Sequence, residues 1–164
     1  MSNKANKNFI DKIEKGGTPA SQFMQEVGGT SRIFGRNSEI SVIFEGDQAY
    51  TDGNMIVYPA MDSQAILSDE EVRIARGYVD HEAGHINHTD FEFSKPKMEH
   101  CVRTENWLLK DMLNAVEDMR LEREVIKDYR GARKNLSAVG NAVTSCYFDE
   151  YEKDKSIAEK PEVI

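Results

Sequence analysis

In the first half of the chain, hydrophobic and polar positions follow the pattern of short strands. Residues 40–44 (ISVIF) are β-branched and aromatic, and residues 48–51 (QAYT) resume that character after a polar interval. Asp52 and Gly53 then lead into residues 55–58 (MIVY). Short apolar segments joined by an Asp-Gly pair are typical of hairpins. The pattern therefore predicts a small antiparallel meander of three strands.

From Ser68 onward the apolar positions recur at helical spacing. Ser68 and Glu71 have the spacing of a capping box, in which each side chain satisfies the backbone N–H of the other residue. The helix that they start is expected to reach about His88, because its apolar residues continue at intervals of three and four. Two short helices are predicted before it, at about residues 8–15 and 20–27, and each is followed by a glycine pair. After it we expect a loop at residues 94–97 around Pro96 and a long helix from about Glu99 or Thr104 to Tyr129. A last helix is predicted from about Ala132 to Tyr147.

These elements predict an α+β fold that is mainly helical and carries one small antiparallel sheet. The length of 164 residues fits one domain. We expect three regions: a basic N-terminal arm with short helices over residues 1–36, the domain itself over residues 37–148, and a polar C-terminal tail over residues 149–164.

The charge of the chain is segregated between the arm and the rest. Residues 1–36 carry six cations and three anions, whereas the whole chain has a net charge of -8, so the remainder carries -11. An acidic body repels phosphate backbones, which excludes general nucleic-acid binding by that body. The basic arm is a candidate docking segment for a protein partner. The simpler interpretation is a solvated start that packs loosely on the domain.

The sequence shows no sign of a membrane protein. No apolar run approaches the ~20 residues that a bilayer-spanning helix needs, and the first residues have no hydrophobic stretch of signal-peptide length. Cys101 and Cys146 are far apart and outside any C-x-x-C pair, so we expect buried thiols rather than a disulfide or a cysteine-based zinc site. These features predict a cytoplasmic protein.

Residues 81–85 (HEAGH) place an H-E-x-x-H motif inside the predicted helix. His81 and His85 lie one turn apart on one helix face, so both imidazoles can bind one metal ion. Glu82 is displaced beside them, where its carboxylate can reach a metal-bound water as a general base and acid. A glycine inside a helix, such as Gly84, lowers helix stability by ~1 kcal/mol relative to alanine. This loss is tolerable if another group passes close to the backbone at that position.

A three-ligand metal site requires one more side chain, and the long helix offers carboxylates. Four polar side chains cluster on one side of residues 114–122, and they are Asn114, Glu117, Asp118 and Glu122. We take Glu117 as the third ligand and keep Asp118 as its rival. The candidates for groups that orient the ligands by hydrogen bonds are Asp118, Glu122, Arg120, Asn114 and His88.

His88 follows His85 on nearly the same face of the helix. A three-histidine site on this one helix is rejected, because His81 and His88 are separated by ~10 Å along the axis, too far for bonds of ~2.1 Å to one ion. We expect a capping or orienting role for His88 instead.

The motif followed by an acidic ligand on a later helix resembles the zincin metallopeptidases, in particular the gluzincin branch, whose third ligand is a glutamate. Phe91 stands where metzincins carry a third histidine. Residues 75–85 and 89–91, with residues 114–122, are also similar to the amino-terminal part of CobT-type cobaltochelatase-like proteins of phages and bacteria. This resemblance covers about residues 40–130. It implies a zincin-like fold, with the small sheet over the active-site helix and an edge strand that receives an extended peptide.

Three functional hypotheses follow. The first is a zinc-dependent metallopeptidase that holds Zn²⁺ through His81, His85 and Glu117, uses Glu82 to activate the bound water, and hydrolyses a peptide or protein in the cytoplasm of a bacterium or phage-infected cell. The second is a metal-binding interaction or assembly module with structural zinc or vestigial peptidase activity. The third is a protein that docks through its basic arm and carries the motif incidentally, without metal.

Overall fold

The computed structural model describes residues 16–34 and 39–153. Within these residues the chain is mainly helical with two small sheets, which confirms the predicted α+β class. The strands are β1 (Thr18–Pro19), β2 (Ser41–Phe44), β3 (Tyr50–Thr51), β4 (Met55–Tyr58) and β5 (Ile66–Leu67). The helices are α1 (Ala20–Phe34), α2 (Asp69–His88), α3 (Phe91–Arg103), α4 (Trp107–Asp128) and α5 (Ala132–Lys153).

The three predicted strands form, but their arrangement is not an antiparallel meander. The strand order is β2-β4-β3, and β2 pairs with β4 in parallel, with Ser41 opposite Met55. β4 takes the centre because Ile56, Val57 and Tyr58 are all buried, whereas β2 alternates between exposed and partly buried positions. Only the β3–β4 pair is antiparallel, and its turn uses the predicted Gly53 at φ +98°. β1 and β5, which were not predicted, form a separate antiparallel pair.

α2 begins and ends where the sequence predicts. The Ser68 hydroxyl accepts a hydrogen bond from the Glu71 backbone N–H, and the Glu71 carboxylate accepts one from the Ser68 N–H at 2.7 Å. α1 begins as predicted but does not stop at residues 28–29. It continues to Phe34 because its buried face, which includes Phe23 and Val27, extends by one more turn to Ser31. The predicted helix at residues 8–15 lies outside the described residues.

The loop predicted around Pro96 is wrong, because Pro96 lies inside α3. Asp90 caps this helix by accepting a hydrogen bond from the Phe93 N–H at 2.9 Å. The long helix predicted up to Tyr129 is α4, which begins close to the Thr104 alternative; the start at Glu99 is wrong, because Glu99 lies in the separate helix α3. The break comes at Glu105, whose φ of 55° cannot continue a helix, and Asn106 then caps α4.

α5 begins at Ala132 as predicted and continues past Tyr147 to Lys153. Residues 154–164, the end of the predicted polar tail, lie outside the described residues. Cys101 is buried as expected, but Cys146 is exposed. Among the described residues, the structure shows no helix that is both long and apolar enough to cross a bilayer.

Two apolar clusters meet at α2. The larger one joins α1, the three-stranded sheet and α2, and its buried residues are Phe23, Val27, Ile40, Ile56, Tyr58, Val72, Val79 and Ala83. The smaller one joins α4 and α5 through Leu121, Val125, Ala132 and Leu136. α2 therefore lies between the sheet and the two last helices.

Glycines on α2 allow the neighbouring helices to come close. A Cβ at Gly84 would lie 2.5 Å from Val125 Cγ2 and 3.3 Å from Leu121 Cδ1 of α4. A Cβ at Gly77 would overlap Val139 and the Asn135 carbonyl of α5. The sequence-based expectation that another group passes close to Gly84 is thus confirmed, and this approach sets α4 against the histidines of α2.

Candidate metal site

Three side chains from two helices converge at one point. His81 and His85 come from consecutive turns of α2, and Asp118 comes from α4. The Nε2 atoms of the two histidines are 3.2 Å apart. Asp118 Oδ1 lies 3.7 Å from His81 Nε2 and 3.4 Å from His85 Nε2. All three side chains are partly buried.

The spacing of these atoms fits a metal ion. Three ligand atoms at tetrahedral corners, each ~2.1 Å from a zinc-like ion, lie about 3.4 Å from one another. The observed separations of 3.2, 3.4 and 3.7 Å bracket that value. The residue types also fit, because imidazole and carboxylate are common ligands of divalent transition metals.

Asp118 carries a buried oxygen that has no hydrogen bond. Its Oδ2 accepts a hydrogen bond from Asn114 Nδ2 at 3.1 Å, whereas its Oδ1 is buried without a hydrogen-bond partner. Burying an unpaired carboxylate oxygen is costly unless a cation compensates for it. Since this oxygen faces the two imidazoles, the observation supports a cation at the point where the three side chains meet.

Glu117, assigned as the third ligand from the sequence, does not join this group. Its Oε2 accepts a hydrogen bond from Arg120 Nε at 2.8 Å, and its Oε1 accepts one from Arg120 Nη2 at 2.6 Å. The Thr89 hydroxyl donates to Oε1 at 2.6 Å. The Arg120 hydrogen bonds are the main reason why the pKa of Glu117 lies below its usual range. Asp118, the rival in the sequence analysis, stands with the imidazoles instead.

The other predicted orienting residues fall into two sets. Glu122 lies near His81, with its Oε1 3.6 Å from His81 Nδ1, and Asn114 holds Asp118. Arg120 holds Glu117 and also donates to the His88 carbonyl at 2.6 Å. The His88 ring is placed elsewhere, with its Nε2 3.6 Å from Asp128 Oδ2.

Thr89 contacts the site and Asn135 contacts the residue beside it, although the sequence analysis singled out neither of them. Thr89 Oγ1 lies 2.8 Å from His85 Nδ1 and so connects this histidine to Glu117. Its position four residues after His85 was the available signal. Asn135 on α5 donates at 2.8 Å to the buried carboxylate of Asp80, the residue before His81. No pattern in the sequence pairs residues 80 and 135.

Burial changes the acid–base properties of the site. Burial and, to a smaller extent, the neighbouring His85 lower the pKa of His81 to about 4, with the Asp118 carboxylate opposing both effects. The imidazole of His81 is therefore neutral near pH 7 and keeps the lone pair that binding to a metal ion requires. Burial also raises the pKa of Glu82 to about 7, with His85 opposing the change and Asp118 adding to it. The pKa of Glu122 is raised by burial and by Asp118.

Comparison with known proteins identifies one family. The family described as "Cobalamin biosynthesis protein CobT" matches residues 17–161, a span that includes α2, α4 and all three converging side chains. No curated protein matches the chain, and no solved structure does.

This match corrects the functional prediction. The expected similarity to CobT-type proteins is confirmed, but the matched family is named for cobalamin biosynthesis and not for proteolysis. The prediction of a zinc metallopeptidase of the zincin or gluzincin class is therefore wrong. The general-base role of Glu82 in peptide hydrolysis, which depended on that prediction, is withdrawn with it.

Proposed function

The chain belongs to the CobT family, and we propose that this domain is a metal-binding module that holds one divalent ion through His81, His85 and Asp118. The module serves the metal chemistry of cobalamin biosynthesis, the pathway that gives the family its name. Its task is to bind the ion and present it, and other proteins of the pathway insert the cobalt.

The separation of the three ligand atoms carries this proposal. Two imidazole nitrogens and one carboxylate oxygen lie between 3.2 and 3.7 Å from one another. Three protein ligands leave one tetrahedral position open, as in metal sites that exchange a fourth ligand. The buried Asp118 Oδ1 without a hydrogen bond supports the same conclusion, because a bound cation would supply its missing partner.

The donor set supports Zn²⁺ as the ion that the purified protein retains. Imidazole and carboxylate together suit zinc, whose filled d shell has no geometric preference to lose when it enters a tetrahedral site. Co²⁺ occupies similar tetrahedral sites, so it is a suitable spectroscopic probe. It is also the metal that cobalamin contains. The proposal is therefore a site that both ions occupy, with Zn²⁺ bound more tightly.

Metal analysis of the purified protein tests the site. We expect about one equivalent of a divalent ion, and visible d–d bands of tetrahedral Co²⁺ after exchange. The Asp118→Ala variant is expected to weaken binding by more than the roughly 10–100-fold that the loss of an outer hydrogen bond costs. Asp111→Ala is the matched control, because Asp111 lies on the same helix with an exposed side chain. Full metal content in Asp118→Ala would refute the assigned ligand set.

A cobalt-insertion assay tests the connection to cobalamin. In a reconstituted reaction that inserts cobalt into a corrin ring, the wild-type protein is expected to raise the rate at limiting Co²⁺. Asp118→Ala is expected to give no increase, and Asp111→Ala is expected to behave as the wild type. Equal rates with and without the wild-type protein would show that the metal site has no part in cobalt insertion.

A further inference from the structure

We propose that Thr89 is a positioning residue that fixes the tautomer of His85. Its hydroxyl connects His85 to the Glu117–Arg120 pair, so that the ring carries its hydrogen on Nδ1 and directs the lone pair of Nε2 toward Asp118 and His81. The importance of this arrangement for metal affinity rests on the proposed function. The tautomer itself is a property of the metal-free protein and is measured separately.

Arg120 keeps the Glu117 carboxylate ionised. A guanidinium group has N–H donors and no acceptor, and it remains protonated in proteins. Arg120 donates to both oxygens of Glu117, from Nε to Oε2 at 2.8 Å and from Nη2 to Oε1 at 2.6 Å. A carboxylate paired in this two-pronged way is ionised and can only accept hydrogen bonds.

The Thr89 hydroxyl has a single hydrogen to donate. Thr89 Oγ1 lies 2.6 Å from Glu117 Oε1 and 2.8 Å from His85 Nδ1. Because Glu117 has no hydrogen to give, the hydroxyl hydrogen of Thr89 is directed to Oε1. The hydroxyl oxygen can then only accept in its contact with His85.

The contact with Thr89 determines which nitrogen of His85 carries the hydrogen. Since Thr89 accepts, His85 Nδ1 is the donor, and in the neutral form of the ring the lone pair then lies on Nε2. Nε2 is the atom that lies 3.2 Å from His81 Nε2 and 3.4 Å from Asp118 Oδ1. The hydrogen-bond chain thus leaves the lone pair of His85 at the position where a metal ion would bind.

Further hydrogen bonds hold this hydrogen-bond chain in place between α2 and α4. The Thr89 backbone N–H donates to the His85 carbonyl at 3.0 Å and ends α2. Arg120 donates to the His88 carbonyl as well as to Glu117. These bonds fix the backbone of Thr89 between the two helices, and the hydroxyl is held there by its contacts with Glu117 and His85.

A fixed tautomer raises metal affinity for two reasons. The ligand pays no cost to change its tautomer on binding, and hydrogen bonding at Nδ1 makes Nε2 more basic. Loss of such an outer hydrogen bond typically weakens metal binding by 10–100-fold. In this protein the group that contacts the metal-binding histidine His85 is the Thr89 hydroxyl. The charged group that orients this hydroxyl is the carboxylate of Glu117.

Nuclear magnetic resonance of the metal-free protein tests the inference, with long-range ¹H–¹⁵N correlations of the imidazoles near neutral pH. Thr89→Val removes the hydroxyl but keeps the shape of the side chain, and Thr89→Ser restores the hydroxyl. Thr104→Val is the matched control, since Thr104 similarly follows a helix end and its hydroxyl donates to the His100 carbonyl at 2.8 Å, within α3.

We expect the wild type and the Thr89→Ser and Thr104→Val variants to show His85 with its hydrogen on Nδ1 and equal Co²⁺ affinity. Thr89→Val is expected to lose this single tautomer and to bind Co²⁺ roughly 10–100-fold more weakly. A wild-type His85 with its hydrogen on Nε2 would overturn the inference, and so would a Thr89→Val variant with the wild-type tautomer. If the wild type shows the expected tautomer but binds no metal, the proposed function fails while the assignment of Thr89 stands.

Discussion

The two helices that build the candidate metal site differ sharply in how they are held. α2 is packed on several sides, and its buried residues extend from Val72 to Gly84. α4 is buried only at Leu121 and Val125, in its second half. Its first half exposes large apolar side chains, with Leu108 at 74% and Val116 at 65%. The site therefore combines two ligands on a central helix with one ligand on a helix that is anchored at one end.

The position of Asp118 shows why this difference matters. Asp118 lies one helical turn before Leu121, at the boundary between the exposed and the anchored halves of α4. Its placement therefore depends on the contact of α4 with α2, through the packing of Leu121 and Val125 against Gly84 and through the hydrogen bonds of Glu117 and Arg120. The histidines depend less on that contact, because α2 is held by α1, the sheet and α5 as well.

The largest expected effect is the loss of the α4 anchor. Leu121 is fully buried, so Leu121→Ala is expected to lower the free energy of unfolding by about 2–5 kcal/mol. Leu108→Ala, in the exposed half of the same helix, is expected to change it by no more than about 0.5 kcal/mol. Chemical denaturation measures both values. Equal losses in the two variants would show that α4 is held along its whole length.

A smaller effect is expected from the contact between the two helices. Gly84→Ala places a methyl group 2.5 Å from Val125 Cγ2, and the resulting overpacking is expected to cost about 1–3 kcal/mol. It should also weaken metal binding, because α4 must move away from the histidines. Gly140→Ala is the control, since a Cβ there meets nothing within 4 Å, and up to about 1 kcal/mol of stabilisation is expected. Thermal melts and Co²⁺ titrations of both variants check this. A Gly84→Ala protein with unchanged Co²⁺ affinity would contradict the proposed role of the close approach.

The smallest effect is expected on the exposed face of α4. Met112 is 57% exposed, so Met112→Lys is expected to change the free energy of unfolding by no more than about 0.5 kcal/mol and to leave metal affinity unchanged. Denaturation and Co²⁺ titration again provide the measurements. A loss of several kcal/mol would mean that this face is covered in solution.

The histidine helix was predictable because its signals are local. The capping box at Ser68 and Glu71 fixes its start, and the spacing of His81 and His85 places both rings on one face whatever surrounds them. The sheet order was not predictable from turn signals alone. The order depends on burial, because consecutive residues of β4 are buried whereas β2 alternates between exposed and partly buried positions. That difference becomes clear only when the fold is known.

The choice between Glu117 and Asp118 shows both the limit of the sequence and an overlooked signal. The two residues are adjacent on α4, so helical arithmetic alone leaves both near the histidines. Glu117, however, has Arg120 three residues later, an intrahelical partner that neutralises it. Asp118 is followed at the same spacings by Leu121 and Glu122, which offer no cation. An acid without a cation at helical spacing was the better candidate ligand.

The close approach at Gly84 gives a simple criterion for judging related chains. The helices α2 and α4 can lie this close because Gly84 has no side chain. A chain that keeps both histidines but carries a bulkier residue at this position would have to hold its acidic helix further out, and its ion would then have only two protein donors. The small residue between the histidines is thus as informative about the number of ligands as the histidines are about their chemistry.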